Sequence, residues 1–423
     1  MFVNTQERIQ TMNLDGNAIV GQSGGPTAAI NASLSGVIRG AAELHAAGAI
    51  KRLYGMRYGV EGLLSGRITD LTGLFGDEKS LSLLEQTPAS ALGSCRMKLP
   101  EPDATNEIYL TLLEVLRAHD IRFFFYIGGN DSMDTVDKLT QFSALVGYEL
   151  RVIGVPKTID NDLCETDHTP GFGSAAKFIA NTTAEILCDS AVYDLPAVTV
   201  LEIMGRDTGW LTCAAGIADA SGGRGPDLIY LPERIFSGEA FLSDIRRCFS
   251  DHKSVVVAVS EGIHTADGTL IGEAKTQGSV DAFGHKSLFG AAKQVAALAQ
   301  SALGCKARGI ELNTLQRCAS HLASQTDIAE AVACGKAAVR LAAAGETGCT
   351  VIMRRTGENP YTVTYDKAEV RKIANRVKYV PDAFIGKDGC SITEACRRYL
   401  LPLIAGESST PLINGVVQHF IIK

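Results

Sequence analysis

Residues 153–163 read Ile-Gly-Val-Pro-Lys-Thr-Ile-Asp-Asn-Asp-Leu. A run of apolar and small residues meets a proline, and three ionisable side chains, Lys157, Asp160 and Asp162, follow within six positions. The apolar run reads as a buried strand and the charges as the loop at its carboxyl end. In an extended segment residues two apart point the same way, so Asp160 and Asp162 are expected to face together, with Lys157 on the other side from Asp160. One cation and two carboxylates suit phosphoryl transfer, which needs a group to take a hydroxyl proton, a divalent ion and cations around phosphates. The alternative is a solvated loop closed by Asx turns, with a chance lysine and with Asn161 as a turn former.

The same punctuation recurs outward along the chain. Asn17–Gly21 is strand-like and enters Gln-Ser-Gly-Gly-Pro-Thr, then a helical stretch with apolar residues at Ile30, Leu34, Val37, Ile38 and Leu44. Pro26 is expected in the first turn of that helix. Gly24 and Gly25 form either a phosphate cradle at a helix N-terminus or an ordinary tight turn. Phe123–Ile127 leads into Gly128–Ser132, with a helix after Ser132. Asp131 there either caps its helix or faces a crevice, where it would repel phosphate or help to hold Mg2+. Arg151–Val155 enters the opening stretch, Ala197–Met204 enters Gly-Arg-Asp-Thr-Gly-Trp, and Ser254–Ser260 enters Glu261-Gly262.

Strands alternating with helical patterns predict an α/β fold of mainly parallel sheet. Loops at the carboxyl ends of such strands gather at one crevice, so five tips are expected to meet. Glu261 reads either as an acceptor for sugar hydroxyls or as a turn carboxylate. Arg96, Arg206, Arg308 and Arg317 suit bidentate phosphate contacts, although each alone also fits a solvated surface. Cys318 and Trp210 read as packing. Residues 169–176 and 320–329 are expected to carry the crossings between domains, and residues 281–303 to form a loop and then a helix. The end, from about Pro381, is expected to hold one amphipathic helix and a final strand, Gly415–Ile422.

Composition agrees. A chain of 423 residues predicts two domains. It is 46% hydrophobic and 21% charged with 43 glycines, which fits a globular protein with many tight loops. A net charge of −7 argues against broad nucleic-acid binding. Met1–Gly16 is polar and no stretch reaches the length of a membrane span, so no membrane association is expected. Eleven scattered cysteines without a Cys-x-x-Cys pair read as free thiols in the cytoplasm. The eight histidines lack ligand spacing, which argues against a metal site built on them.

Taken together, Gly24-Gly25, Gly128-Gly129-Asn130-Asp131-Ser132, Pro156 to Asp162, Met204-Gly205-Arg206, Glu261 and Gln316-Arg317 resemble the phosphofructokinase family in order and rough spacing, over about residues 17–325. The resemblance implies two Rossmann-like three-layer domains with the active site in the cleft between them. Residues 14–175 plus about 320–375 would bind the phosphoryl donor, and 176–319 plus about 376–423 the sugar phosphate. It implies Mg2+-dependent, reversible transfer to the 1-hydroxyl of fructose 6-phosphate. Asp160 is implied as the base, beside Lys157 and Thr158. Gly24, Gly25, Arg96, Gly129, Asp131, Ser132 and Lys157 are implied around the donor. Thr158, Asp160, Asp162, Met204, Gly205, Arg206, Glu261 and Arg317 are implied around the sugar phosphate. Arg308 matches an arginine that reaches a neighbour's 6-phosphate, which implies a homodimer or homotetramer. Asp131 and Asp162 are implied near the metal, with Asn130 where many members have an aspartate.

Members that use ATP typically carry glycine at the positions of Asp131 and Lys157, whereas the pyrophosphate-dependent branch carries Asp and Lys. Gly21–Thr27 and Asp-Phe-Gly-His at 281–285 also resemble that branch. The direction is physical. Like charges about 4 Å apart at an effective dielectric of ~20 repel by ~4 kcal/mol, roughly a thousandfold in affinity, so Asp131 would oppose an α-phosphate. Lys157 would attract a short, highly charged donor. The alternatives are ATP as donor, a wider sugar range such as sedoheptulose 7-phosphate, and a regulatory, non-catalytic subunit. Asn313, Thr314, Ala197 and Cys318-Ala319 depart from the family pattern and bear on sugar specificity.

Overall fold

The computed structural model describes residues 14–272 and 290–422. In chain order its principal strands are β1 (Gly16–Gln22), β2 (Ile50–Met56), β3 (Ile68–Asp70), β4 (Ile121–Gly128), β5 (Arg151–Pro156), β6 (Ala197–Ile203), β7 (Leu228–Tyr230), β8 (Ser254–Ser260), β9 (Lys306–Glu311), β10 (Cys349–Glu358) and β11 (Tyr361–Glu369). A seven-stranded sheet takes the order β11-β10-β5-β4-β1-β2-β3, and a four-stranded sheet the order β7-β8-β6-β9. The smaller sheet is all parallel. The larger is parallel except at its edges, where β3 and β11 run antiparallel to their neighbours. The mainly parallel α/β fold is therefore as expected.

The burial of the strands explains the topology. Phe123 to Ile127 in β4 are wholly buried, and every residue of β8 is buried. Continuous apolar strands of this kind need helices on both faces. On one face of the larger sheet the helices Ile30–Ala46 and Gln325–Ala343 come so close that a methyl on Gly36 would collide with the Val332 carbonyl.

The helix Phe172–Ser190 carries the chain from the larger sheet to the smaller, and the stretch from Leu315 through the helix Gln325–Ala343 brings it back. The two crossings bond to each other. The buried Asp327 carboxylate accepts from Gly171 N (2.8 Å), Ser174 N (2.9 Å) and Ser174 Oγ (2.5 Å). It thus satisfies orphan N–H groups at the start of Phe172–Ser190, where the helix dipole favours a negative charge.

Several local expectations are corrected. Pro26 lies outside the helix, which begins at Ile30; Ala29 N instead donates to Thr27 Oγ1 inside an intervening turn. The helix expected after Ser132 begins at Asn130, so Asp131 sits in its first turn and caps nothing through its side chain. Trp210 is packed as expected, but Cys318 is exposed. The final strand is only a hairpin of Leu412–Ile413 with Val416–Val417. Beyond it the chain bonds to the larger-sheet half: Phe420 N donates to Thr87 Oγ1, and Ile422 O accepts from Arg57. The Asp281–His285 motif lies outside the described residues. The helix expected within 281–303 spans Ala291–Leu303.

Replacing Asp327 with Ala leaves two buried N–H groups without an acceptor, at ~1–3 kcal/mol each. Denaturant melts of Asp327→Ala are therefore expected to show a loss of roughly 2–6 kcal/mol, with Asp327→Asn intermediate because its amide keeps one acceptor oxygen.

Candidate active site

A cavity of about 480 Å3 opens at the carboxyl ends of strands from both sheets. The five tips foreseen from sequence, those of β1, β4, β5, β6 and β8, all reach it: Gly24 and Gly25, Gly129 to Ser132, Lys157 to Asp160 with Asp162, Met204 with Arg206 to Thr208, and Glu261. Among its lining residues five are cations (Arg96, Lys98, Lys157, Arg206, Arg317) and five are carboxylates (Asp131, Asp160, Asp162, Asp207, Glu261). Two of the anticipated residues lie off its wall. Gly205, at φ +141°, gives its N–H to Glu261 Oε1 (3.3 Å) and so aims the carboxylate. Arg308 stands on the edge strand β9, bonded to Asp189 Oδ2 (2.9 Å) and Thr199 Oγ1 (3.3 Å).

The β5 tip holds the densest charge. Lys157 is buried, and its Nζ donates to Gly25 O (2.7 Å), tying the glycine loop after β1 to the loop after β5. Gly24 takes a left-handed φ of +75° there, and Ser94 Oγ donates to its carbonyl (2.6 Å). Burial pushes Lys157 down to about 8, helped by Arg96 and Arg317 and opposed by Asp160.

The expected two-residue alternation does not hold, because the chain bends at Ile159 and Asp160 and Asn161 is left-handed (φ +54°). Asp160 and Asp162 nevertheless both line the cavity. Thr158 Oγ1 donates to Asp160 Oδ2 (3.2 Å) and accepts from Asp160 N (3.1 Å), which fixes the carboxylate. Burial raises the Asp160 pKa above the ordinary value; the Thr158 hydrogen bond and Lys157 oppose the rise. Burial and then the charge of Asp160 push Asp162 up to about 7. Glu261 is also pushed to about 7, chiefly by burial. Among the described residues no three His, Cys, Asp or Glu side chains cluster as a ready metal cage; one or two carboxylates with substrate phosphate oxygens and water are what a divalent cation bound with a phosphate substrate usually needs.

Two residues behave differently from the sequence reading. Asp131 faces the cavity, but Lys98 Nζ stands 3.1 Å from its Oδ1, so its charge is not unrelieved. The repulsion of ~4 kcal/mol is therefore an upper limit. Asn130, which also lines the cavity, is bonded to main chain. Its Oδ1 accepts from Asn375 N (2.6 Å) and its Nδ2 donates to Arg376 O (2.5 Å).

The phosphofructokinase family model matches residues 17–342. The chain belongs to the phosphofructokinase family. It is 42% identical over 402 residues to the pyrophosphate–fructose 6-phosphate 1-phosphotransferase of Halomonas elongata, covering 95% of this chain and 94% of that one. Identity to the protein of the same name from Xanthomonas campestris is 44% over 403 residues, again covering 95% and 94%. The crystal structure of pyrophosphate-dependent phosphofructokinase from Nitrosospira multiformis superposes with a TM-score of 0.85 at 40% identity, covering 96% of each chain.

Within this phosphofructokinase, sequence reasoning missed Lys98, Asp207, Thr208, Asn375 and Val377 on the cavity wall. Lys98 lies two residues after Arg96 and could have been found as a second cation beside it. Nothing local marks Asn375 or Val377.

Because Lys157 titrates at about 8, the cavity should lose affinity for an anion as pH rises through that value. Calorimetry with pyrophosphate is expected to show weakening binding and growing proton uptake above pH ~8. Lys157→Met should remove that limb and weaken binding by roughly 1.5–3 kcal/mol, the usual worth of a hydrogen bond to a charged group.

Proposed function

We propose that this chain transfers a phosphoryl group from pyrophosphate to the 1-hydroxyl of fructose 6-phosphate, giving fructose 1,6-bisphosphate and phosphate. The observation that carries the reading is the meeting of Lys157, Asp131 and the Thr158-held Asp160 in one cavity. The names of the relatives similar along nearly the whole chain support the same donor.

The larger-sheet half supplies the donor side: the glycine loop, the first turn of Asn130–Leu145, and Arg96, Lys98 and Lys157. Their N–H groups and cations orient pyrophosphate and take up charge on its phosphates. The smaller-sheet half supplies the sugar side: Met204, Arg206 and Glu261, with Arg317 at the junction. Glu261 suits hydrogen bonding to sugar hydroxyls, and the arginines suit the 6-phosphate. The 1-hydroxyl proton passes to the Asp160 carboxylate as the oxygen attacks phosphorus and the bridging P–O bond breaks. Raising the Asp160 pKa by burial makes the carboxylate a better acceptor of that proton. Asp131 and Asp162 are the residues that would hold Mg2+, which would neutralise donor oxygens.

Arg308 suits a different place. It lies outside its own cavity on a sheet edge, near the exposed Val192, Tyr193 and Leu195. We assign it to a contact with a second copy of the chain, in a homodimer or homotetramer, where it would reach the partner's sugar phosphate. Eleven unpaired cysteines fit the cytoplasm, and among the described residues no helix is long and apolar enough to cross a membrane.

Asp160→Asn should lower kcat with pyrophosphate by roughly 10²–10⁴, the usual worth of a positioned general base, while the KM for fructose 6-phosphate stays near wild type. Turnover near wild type in that variant removes Asp160 as the base.

A further inference from the structure

Residues 375–380 form a strap that touches both halves of the molecule. At one end Asn130, in the first turn of Asn130–Leu145, accepts from Asn375 N and donates to Arg376 O. Farther along, Lys378 N donates to Asp162 O (2.8 Å), Trp210 Nε1 donates to Lys378 O (2.8 Å), and Val380 N donates to Glu233 Oε1 (3.0 Å). Asn375 takes a left-handed φ of +59°, a conformation asparagine tolerates better than most residues. The strap lies beyond residue 342, where the match to the family model ends.

Two strap residues, Asn375 and Val377, line the cavity together with Asn130 and Asp131. These last two belong to the first turn after β4, on the donor side of the site. We infer that Asn130 is a positioning residue that selects the donor by length. Its amide clamps the strap so that Asn375 and Val377 wall off the space beyond a pyrophosphate, and Asp131 blocks the same end. This rests on the donor assignment given above.

The geometry asks for an amide. The main chain presents one N–H and one C=O to this side chain, and an amide accepts from one atom and donates from another, whereas a carboxylate only accepts. A carboxylate at 130 would keep the bond from Asn375 N but would face the Arg376 carbonyl with a negative charge. A merely structural clamp would, when broken, reduce turnover with every donor alike.

The test uses the full-length enzyme with fructose 6-phosphate and Mg2+, comparing pyrophosphate with inorganic tripolyphosphate. In wild type pyrophosphate is expected to be strongly preferred. In Asn130→Ala and Asn130→Asp the ratio of kcat/KM for tripolyphosphate to that for pyrophosphate should rise about tenfold, equivalent to ~1.4 kcal/mol. The change should appear in the donor KM values, with the KM for fructose 6-phosphate unmoved. Val377→Ala widens the wall without touching the clamp and should shift the ratio in the same direction, even if the Asn130 variants fold poorly. An unchanged ratio in folded variants, or equal losses with both donors and a raised sugar KM, overturns the inference while leaving the proposed function standing. Absence of wild-type turnover with pyrophosphate overturns the donor assignment, and the inference with it.

Discussion

Everything at this site depends on keeping one lysine and two aspartates together away from water at the end of β5. Buried charges are tolerated only where each is paired and hydrogen-bonded, and the surrounding chain is arranged to do that. Lys157 Nζ donates to Gly25 O and Thr158 Oγ1 donates to the Asp160 carboxylate, while Lys378 N donates to the main-chain carbonyl of Asp162 and holds that residue in place. Asn161, which reads as a turn former in sequence, does form the turn, and its amide donates to Tyr399 Oη (2.9 Å) to anchor it. The compensation is incomplete. Asp162 and Glu261 remain pushed up to about 7 and Lys157 down to about 8, so the cavity holds charge that substrates and a cation would relieve.

The fold places that cluster by simple means. Parallel strands with helical crossovers send their loops to one edge, and the tips of the two sheets together line one cavity with two chemical sides. One side is a glycine loop and a helix start with three cations. The other is an arginine, a glutamate and main chain bent at Gly205. The carboxylates of the β5 tip stand where the two meet.

Much of this was legible in the sequence, because the signals are local. An apolar run ending in glycines or charges marks a strand tip wherever it falls, and all five such tips reach the cavity. Legibility failed where long-range bonds decide. Asn130 reads as a weakened metal ligand beside its neighbours, but its partners are main-chain atoms 245 and 246 residues away. The strap at 375–380 has no motif of its own, since its role comes from main-chain bonds to Asn130, Asp162, Trp210 and Glu233. Lys98 hid for a simpler reason: its meaning depends on Asp131 standing 3.1 Å away. The alternation of Asp160 and Asp162 was expected for the wrong reason, because a left-handed residue rather than an extended strand brings both to the cavity.

The central claim is that this cavity takes pyrophosphate and not a nucleotide. Initial rates of the purified enzyme with fructose 6-phosphate and Mg2+, measured in parallel with pyrophosphate and with ATP at equal concentration, test it most directly. The account predicts rapid turnover with pyrophosphate and little with ATP. Comparable or faster turnover with ATP would contradict it, leaving the fold and the base but removing Asp131 and Lys157 as the determinants of the donor.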